Sequence, residues 1–216
     1  MKKSLEEHAE RFSEHAADYD ESQDSPEYRA AADLVVGHAD AGSGETVLDL
    51  GTGTGAIALP LAESAGRVIG RDISEGMLDR AREKAAERGV ENVAFGEGRF
   101  RDPNVHEDAD VDVVTSNFAM HHLGDDEKRE AIAQIAALEP RRFVLGDVLF
   151  FGEPDPDDPF YSPEVDDPAT VGVLADAFTD AGFAVTAVER VSDQVGVLVG
   201  DRIEDRPGIE DPEGEP

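Results

Sequence analysis

The sequence predicts an α/β fold, a doubly wound sheet in three layers. Three observations carry this. Apolar runs of strand length alternate with stretches of helical periodicity along most of the 216 residues. The run Val47-Leu48-Asp49-Leu50 stops at Gly51, Gly53 and Gly55, and a helical pattern follows, which reads as strand, tight turn, helix. The last two apolar runs, 183–190 and 194–200, read as an antiparallel hairpin.

In chain order, residues 4–19 have helical spacing, with Leu5, His8, Phe12 and Ala16 near one face. Pro26 suits the first turn of a second helix running to Asp40. Gly42-Ser43-Gly44 is a linker, and strand 1 (46–50) leads through the glycines to a helix over 55–64. Strand 2 (67–71) is followed by a helix that starts at Ser74, a suitable N-cap, and ends before Gly89. Strands 3 (92–95), 4 (111–115) and 5 (142–148) follow, with Gly124 to Glu127 opening the helix between the last two. Residues 152–168, rich in Pro and Asp, predict a loop, and 169–181 a helix. The sequence thus divides into a helical arm (1–44), a core (45–202, with 152–168 as a lid-like loop) and a disordered acidic tail (203–216).

Composition narrows the class. The chain has no cysteine, which removes disulfides and thiolate metal sites. It has no apolar run long enough to span a membrane and no signal-like segment, so a cytoplasmic protein is expected. The formal net charge is -31, and the acids are spread along the whole chain. Only Lys2, Lys3, Lys84 and Lys128 are lysine. This pattern predicts a halophilic source, in which salt screens the repulsion between surface carboxylates. Recurrent apolar periodicity argues against a disordered acidic protein. The acidic surface argues against nucleic-acid and anionic-membrane partners.

The glycine turn is the first candidate site. Glycines admit backbone angles that other residues avoid and let a ligand approach the main chain. The helix after them would offer free N–H groups and a positive dipole end to an anionic group. Asp72 ends the second apolar segment about 20 residues beyond, where a ribose-binding acid sits in doubly wound sheets. Glycine turns also occur as plain turns, and in this chain many acids are only surface charge. Asp49, two residues before the first glycine, stands where dinucleotide folds usually have an apolar residue. Ile73 and Met77 suit either the core or the face of an adenine ring. His121 and His122 leave strand 4 at its carboxyl end. Adjacent histidines generally diverge, so no metal site is expected of them. Phe160 and Tyr161 read either as lid aromatics or as an incidental cluster, and Asp147, at the end of strand 5, reads as a rim residue facing a substrate.

These segments together resemble a small class I S-adenosylmethionine (AdoMet)-dependent methyltransferase of the UbiE-like type, over about residues 8–200. Phe12 to Asp20 is similar to the family's N-terminal "F…A…YD" signature, and Asp49 to Gly55 to its motif I. Gly70-Arg71-Asp72-Ile73-Ser74 with Met77 and Leu78 is similar to its ribose motif. Val111 to Val114 with Phe118-Ala119-Met120-His121-His122-Leu123 is similar to the motif after strand 4, and Phe178 to Phe183 to the lead into the final hairpin. The resemblance implies a Rossmann-like sheet of order 3-2-1-4-5-7-6, mostly parallel. It implies AdoMet as cofactor, held by Asp49, Gly51, Thr52, Gly53, Gly55, Asp72, Ile73, Met77, Phe100 and Asn117. It implies methyl transfer to a small molecule, with His122, Tyr19 and His121 at the acceptor, by a monomer or homodimer. Two positions depart from the pattern. Arg71 replaces an apolar residue, and Arg99 stands where an Asp usually meets the adenine amino group, leaving Glu97 or a backbone carbonyl for that contact. Two other readings stay open. One is a nicotinamide-dependent oxidoreductase, opposed by Asp49 and by the lack of a Tyr-x-x-x-Lys pair. The other is a non-catalytic AdoMet-binding module that activates a partner.

Overall fold

The computed structural model describes residues 9–13, 16, 19, 25–106, 109–153 and 159–203. The expected tail beyond 203, residues 4–8, 14, 15, 17 and 18 of the expected first helix, and 154–158 of the expected loop lie outside the described residues; 9–13 are helical. The remaining elements, in order, are α1 (Pro26–Ala39), β1 (Thr46–Leu50), α2 (Ala58–Leu61), β2 (Arg67–Asp72), α3 (Glu75–Arg88), β3 (Val93–Glu97), β4 (Val113–Asn117), a 3-10 turn (Met120–His122), α4 (Asp125–Ala137), β5 (Arg142–Phe150), β6 (Ala169–Thr170), α5 (Val171–Asp180), β7 (Phe183–Arg190) and β8 (Val195–Arg202).

The strands form one sheet in the order β3-β2-β1-β4-β5-β8-β7, with β6 beside β5. Leaving out two-residue β6, this is the expected path. β1 to β5 pair in parallel, and β8 is antiparallel to both β5 and β7. The sheet therefore reverses order between β1 and β4, and the carboxyl ends of these strands open into one crevice.

Elements start and stop where the local chemistry dictates. The Ser25 side chain accepts from Tyr28 N at 3.0 Å, with Pro26 as the first helical residue of α1. Ser74 caps α3 and Thr170 caps α5, while Gly89 closes α3 at φ 66°. Glu127 reaches back to Gly124 N (3.0 Å) at the start of α4.

Several boundaries differ from the sequence expectation, and two of them have a clear physical cause. The helix expected over 55–64 reduces to the single turn of α2. Gly53 and Gly55 sit at φ 52° and 83°, and Pro60 has no N–H to extend the ladder. β4 begins at Val113 because Asp112 already meets Thr46 from both sides: its carboxylate accepts from Thr46 N (2.8 Å) and its own N–H donates to Thr46 O (2.9 Å).

Side chains alternate across the sheet and divide the core in two. On one face Val47, Val113, Val144 and Val199 pack with Ala31, Val35 and Ala39 of α1 and with Leu61 of α2. On the other, Leu48, Val114, Leu145 and Leu198 pack with Ile132 and Ile135 of α4 and with Leu174 and Phe178 of α5. Phe178 stacks on Phe143 with centroids 4.8 Å apart and 10° between planes. The ring lies over Gly200, where a Cβ would come within 2.6 Å of it. Truncating such a fully buried ring costs about 3–5 kcal/mol, a large share of a domain's 5–15 kcal/mol. The sheet is thus held rigid below the crevice where its strands end.

Candidate functional site

The glycine loop is shaped differently from the sequence expectation. Four of its N–H groups are already used: Gly51 and Thr52 donate to Arg71 O (2.8 and 3.0 Å), Gly55 to Thr52 O (2.8 Å), and Gly53 to the Asp72 carboxylate (2.8 Å). A single-turn α2 adds little macrodipole. What the loop offers instead is open space and unmet side chains. A Cβ built on Gly53 meets nothing within 4 Å, whereas one on Gly51 would strike the Ala119 side chain at 2.4 Å. Buried polar atoms without a partner gather at these strand ends: Asp49 Oδ2, Thr52 Oγ1, Ser116 Oγ, and both amide atoms of Asn117. Orphaned groups of this kind cost about 1–3 kcal/mol each, so they mark a place made for a polar ligand.

Asp49 is 1% exposed. Burial pushes its pKa up to about 6; the Thr115 hydroxyl at 2.8 Å holds part of the rise back, and the charge on Asp72 adds to it. Asp72 is not surface charge. Its two oxygens brace Gly53 N and Ser74 N (2.9 Å), and burial raises its pKa. Ile73 is half-buried beside it, while Met77 is buried within α3. Phe100 reaches the loop, its ring 3.8 Å from a Cβ built on Gly51. Arg71 holds the turn that carries Phe100, donating to Asn104 O (3.1 Å) while its stem packs on Gly98. Arg99 points away to solvent, 3.8 Å from Glu97.

β4 ends in a kink. Phe118 adopts φ 50°, rare for a bulky side chain and costing of the order of 1–3 kcal/mol. Its N–H donates to Gly146 O (2.8 Å). The kink turns its ring out of the sheet, against Tyr28 (5.1 Å) and Phe160 (5.9 Å). The 3-10 turn that follows is gathered by one carboxylate. Asp147, 2% exposed, accepts from Met120 N (2.8 Å) and His121 N (3.1 Å) through Oδ2, and from Val148 N (2.7 Å) through Oδ1. Its Oδ1 also bonds His121 Nδ1 at 2.5 Å. Asp147 is therefore a buried brace behind the histidines, not the substrate-facing rim residue expected from the sequence. His122 Nδ1 has its own carboxylate, Asp166 Oδ1, at 2.7 Å.

The two histidines do not diverge as adjacent residues generally do. Their ring centroids lie 4.1 Å apart, because each ring is pulled to a separate acid on the same side of the turn. Both line a cavity of about 250 Å³ with Phe12, Tyr19, Phe118, Phe160 and Tyr161. The arm and the 159–168 loop thus meet over the end of β4. His121, His122 and Asp166 offer atoms spread over up to 4.8 Å. One tetrahedral ion would draw ligands to about 3.4 Å from each other, and both Nδ1 atoms are already joined to acids, so the arrangement fits two carboxylate-backed imidazoles better than an ion cage.

The environment pushes the two rings apart in basicity. Burial alone would lower His121, but the charge and hydrogen bond of Asp147, aided by Asp166, outweigh it and its pKa rises. Burial and the neighbouring His121 charge lower His122 in spite of Asp166. His122 is the neutral member at pH 7. With Asp166 accepting from Nδ1–H, Nε2 is the unprotonated nitrogen of this tautomer. Asp166 itself is held ionised: burial would raise its pKa, but both histidines lower it by more.

Sequence reasoning missed Asp166 and the bracing role of Asp147. In a chain with 50 acids, two functional ones carry no contrast. Of the expected site residues, the structure places Asp49, Gly51, Thr52, Gly53, Gly55, Asp72 and Phe100 at or beside the glycine loop, Asn117 at the end of neighbouring β4, and Tyr19, His121 and His122 on the cavity wall.

Comparison with known proteins accords with this geometry. The Methyltransferase domain family matches residues 47–139. An uncharacterized methyltransferase of Bacillus velezensis is 29% identical over 195 residues, 80% of this chain and 88% of that protein. Among solved structures, magnesium protoporphyrin IX methyltransferase from Synechocystis, with bound SAM, superposes with a TM-score of 0.63 at 22% identity over 82% of this chain and 78% of that one. The putative methyltransferase in complex with the Haloferax volcanii Trm112 activator reaches 0.72 at 21% identity over 89% and 98%.

The split between the rings is directly measurable. In a ring-proton NMR titration one histidine should titrate above 6.5 and lose its shift in Asp147→Asn, and the other should titrate below 6.5. Two titrations at the ordinary value would contradict the paired-acid geometry.

Proposed function

We propose that this chain, a class I S-adenosylmethionine-dependent methyltransferase, methylates a small protic acceptor in the cavity beside its glycine loop, with His122 as the base. The observation that carries this is a single peptide link. Asn117, whose amide is buried without a partner, ends β4 beside β1, the strand that leads into the glycine loop, and Phe118, the next residue, lines the cavity. Cofactor and acceptor would meet across that link.

Asp49, Thr52 and Asn117 would hold the amino-acid end of AdoMet, whose ammonium suits the buried carboxylate of Asp49. Asp72 would meet the ribose with the lone pairs its backbone bonds leave free, and Phe100 would flank the adenine. Bound AdoMet supplies a methyl group on an electrophilic sulfonium. The chain supplies alignment, exclusion of water and a proton acceptor. Nε2 of His122 takes the proton of a hydroxyl or amine as that atom becomes a nucleophile, and Asp166 holds the ring on edge for it. His121, whose cationic form Asp147 favours, stabilises negative charge growing on the acceptor. The N-terminal arm, through Phe12 and Tyr19, and the 159–168 loop act as the lid.

The charge pattern supports a halophilic setting. A partner-activated mode is the second reading, favoured by the fold shared with the partner of an archaeal activator. It would show as a protein that copurifies at high salt, with no turnover by the chain alone.

Three outcomes test these proposals. AdoMet affinity, measured by calorimetry in molar KCl, should fall as pH drops through about 6, because binding selects ionised Asp49. Asp49→Asn should bind weakly and without that pH step, and a flat wild-type profile would contradict the contact. With a substrate in hand, His122→Ala should lower turnover by about 10²- to 10⁴-fold while AdoMet affinity stays within a few-fold. His122→Gln should orient the acceptor yet lack the rise in rate with pH, which in the wild type titrates below 6.5. Equal rates in wild type and His122→Ala would remove the role. The melting temperature should climb with KCl across the molar range as carboxylate repulsion is screened, and a salt-independent value would contradict salt adaptation.

A further inference from the structure

Lysine is scarce in this chain, yet Lys128 of α4 is buried, with a side chain only 2% exposed. An ammonium is costly to bury and needs a specific return. Its Nζ donates to two backbone carbonyls from different segments, Leu123 O and Asp167 O. The Asp125 carboxylate lies 3.5 Å away. Leu123 closes the histidine turn, and Asp167 follows the acid that holds His122. One side chain thus ties the two halves of the acceptor site together.

The surrounding bonds show what the tie controls. Asp167 N donates to His121 O (2.7 Å). Asp166 is folded onto its own loop, its N–H donating to Ser162 O (2.9 Å) and its Oδ2 accepting from Ser162 N (2.8 Å). That leaves Oδ1 for His122 Nδ1. Asp167 N–His121 O and the Asp166–His122 pair join the loop to the turn. Lys128 adds bonds to both segments at once. Burial lowers the lysine's pKa, with Asp125, Asp167 and Asp147 acting against that shift. Arginine carries most of the positive charge elsewhere in the chain. Its broad guanidinium is a poor match for a narrow slot with two converging carbonyls, which a compact ammonium with three donors fits well.

We propose that Lys128 is a positioning residue, a latch that holds the 159–168 loop on the histidine turn and so keeps Asp166 against His122. It rests on the reading of His122 as the base, and acts through Asp166 without touching the acceptor.

The test uses the full chain in molar KCl and needs no substrate. Lys128→Met keeps the stem and removes the donors; Lys128→Arg restores donors in a poorer shape. Amide hydrogen exchange should rise at least tenfold at Ser162, Asp166 and Asp167 in Lys128→Met, with β4 and β5 unchanged. The ring nitrogen shifts of His122 should move from the Nδ1–H tautomer to the mixture of a free imidazole. Lys128→Arg should recover part of both signals. Loop exchange and tautomer equal to wild type in Lys128→Met would overturn the proposal. So would protection lost across the whole sheet, or a Lys128→Met chain that does not fold, since either makes the lysine a support of the fold and not a local latch. These readouts are separate from turnover. A failed latch leaves the His122 rate test untouched, and a fully active His122→Ala leaves the latch to stand or fall on exchange alone.

Discussion

One buried carboxylate organises the active end of this molecule. Asp147 sits at the end of the central strand β5 and takes hydrogen bonds from three backbone N–H groups and one imidazole. Without it the turn after β4 would leave Met120 and His121 with unmet N–H groups in a buried place, at about 1–3 kcal/mol each. The brace has a consequence for chemistry as well as for stability. Asp147 fixes His121 and favours its charge; that charge joins burial in lowering the basicity of the ring 4.1 Å away, while the charge on Asp147 itself acts in the opposite direction. An almost wholly buried carboxylate thereby bears on the protonation of both rings in the cavity.

The same logic of opposed shifts runs through the crevice. Asp49 is raised to about 6 by burial, an excess of the order of 3 kcal/mol for its ionised form relative to an ordinary Asp. This cost would persist above pH 6 in the empty protein and fade as the pH fell toward 3.8. A cationic ligand group removes it. The cradle is therefore unstable in a way that its cofactor corrects, while the histidine pair is stabilised by acids within the protein. The strained Phe118 joins the two, and the rigid sheet beneath holds the strain.

The fold was legible because its signals are local. Apolar runs of strand length, the Ser74 cap and the glycine cluster gave the layers, and the family resemblance gave the strand order. Tertiary structure moved only the ends of elements, as where Asp112 delays β4 and Pro60 shortens α2. The cradle was legible for the same reason, since Asp49, the glycines and Asp72 lie on two neighbouring strands. The acceptor side was half legible. The histidines stand out in sequence, but their carboxylates come from 26 and 44 residues away. Nothing distinguishes Asp147 or Asp166 from the acids that serve only as hydrated surface. The expectation that adjacent histidines diverge failed because it considered the turn alone, without the two acids that pull both rings to one side. Arg71 read as a departure from a binding pattern and is instead the tie that holds the Phe100 turn.

The most direct test of the account is a calorimetric titration of the full chain in molar KCl with AdoMet and, separately, with NADH. One AdoMet site of micromolar affinity, with no heat from NADH, is the predicted result. Binding of NADH with no signal from AdoMet would contradict the account at its root.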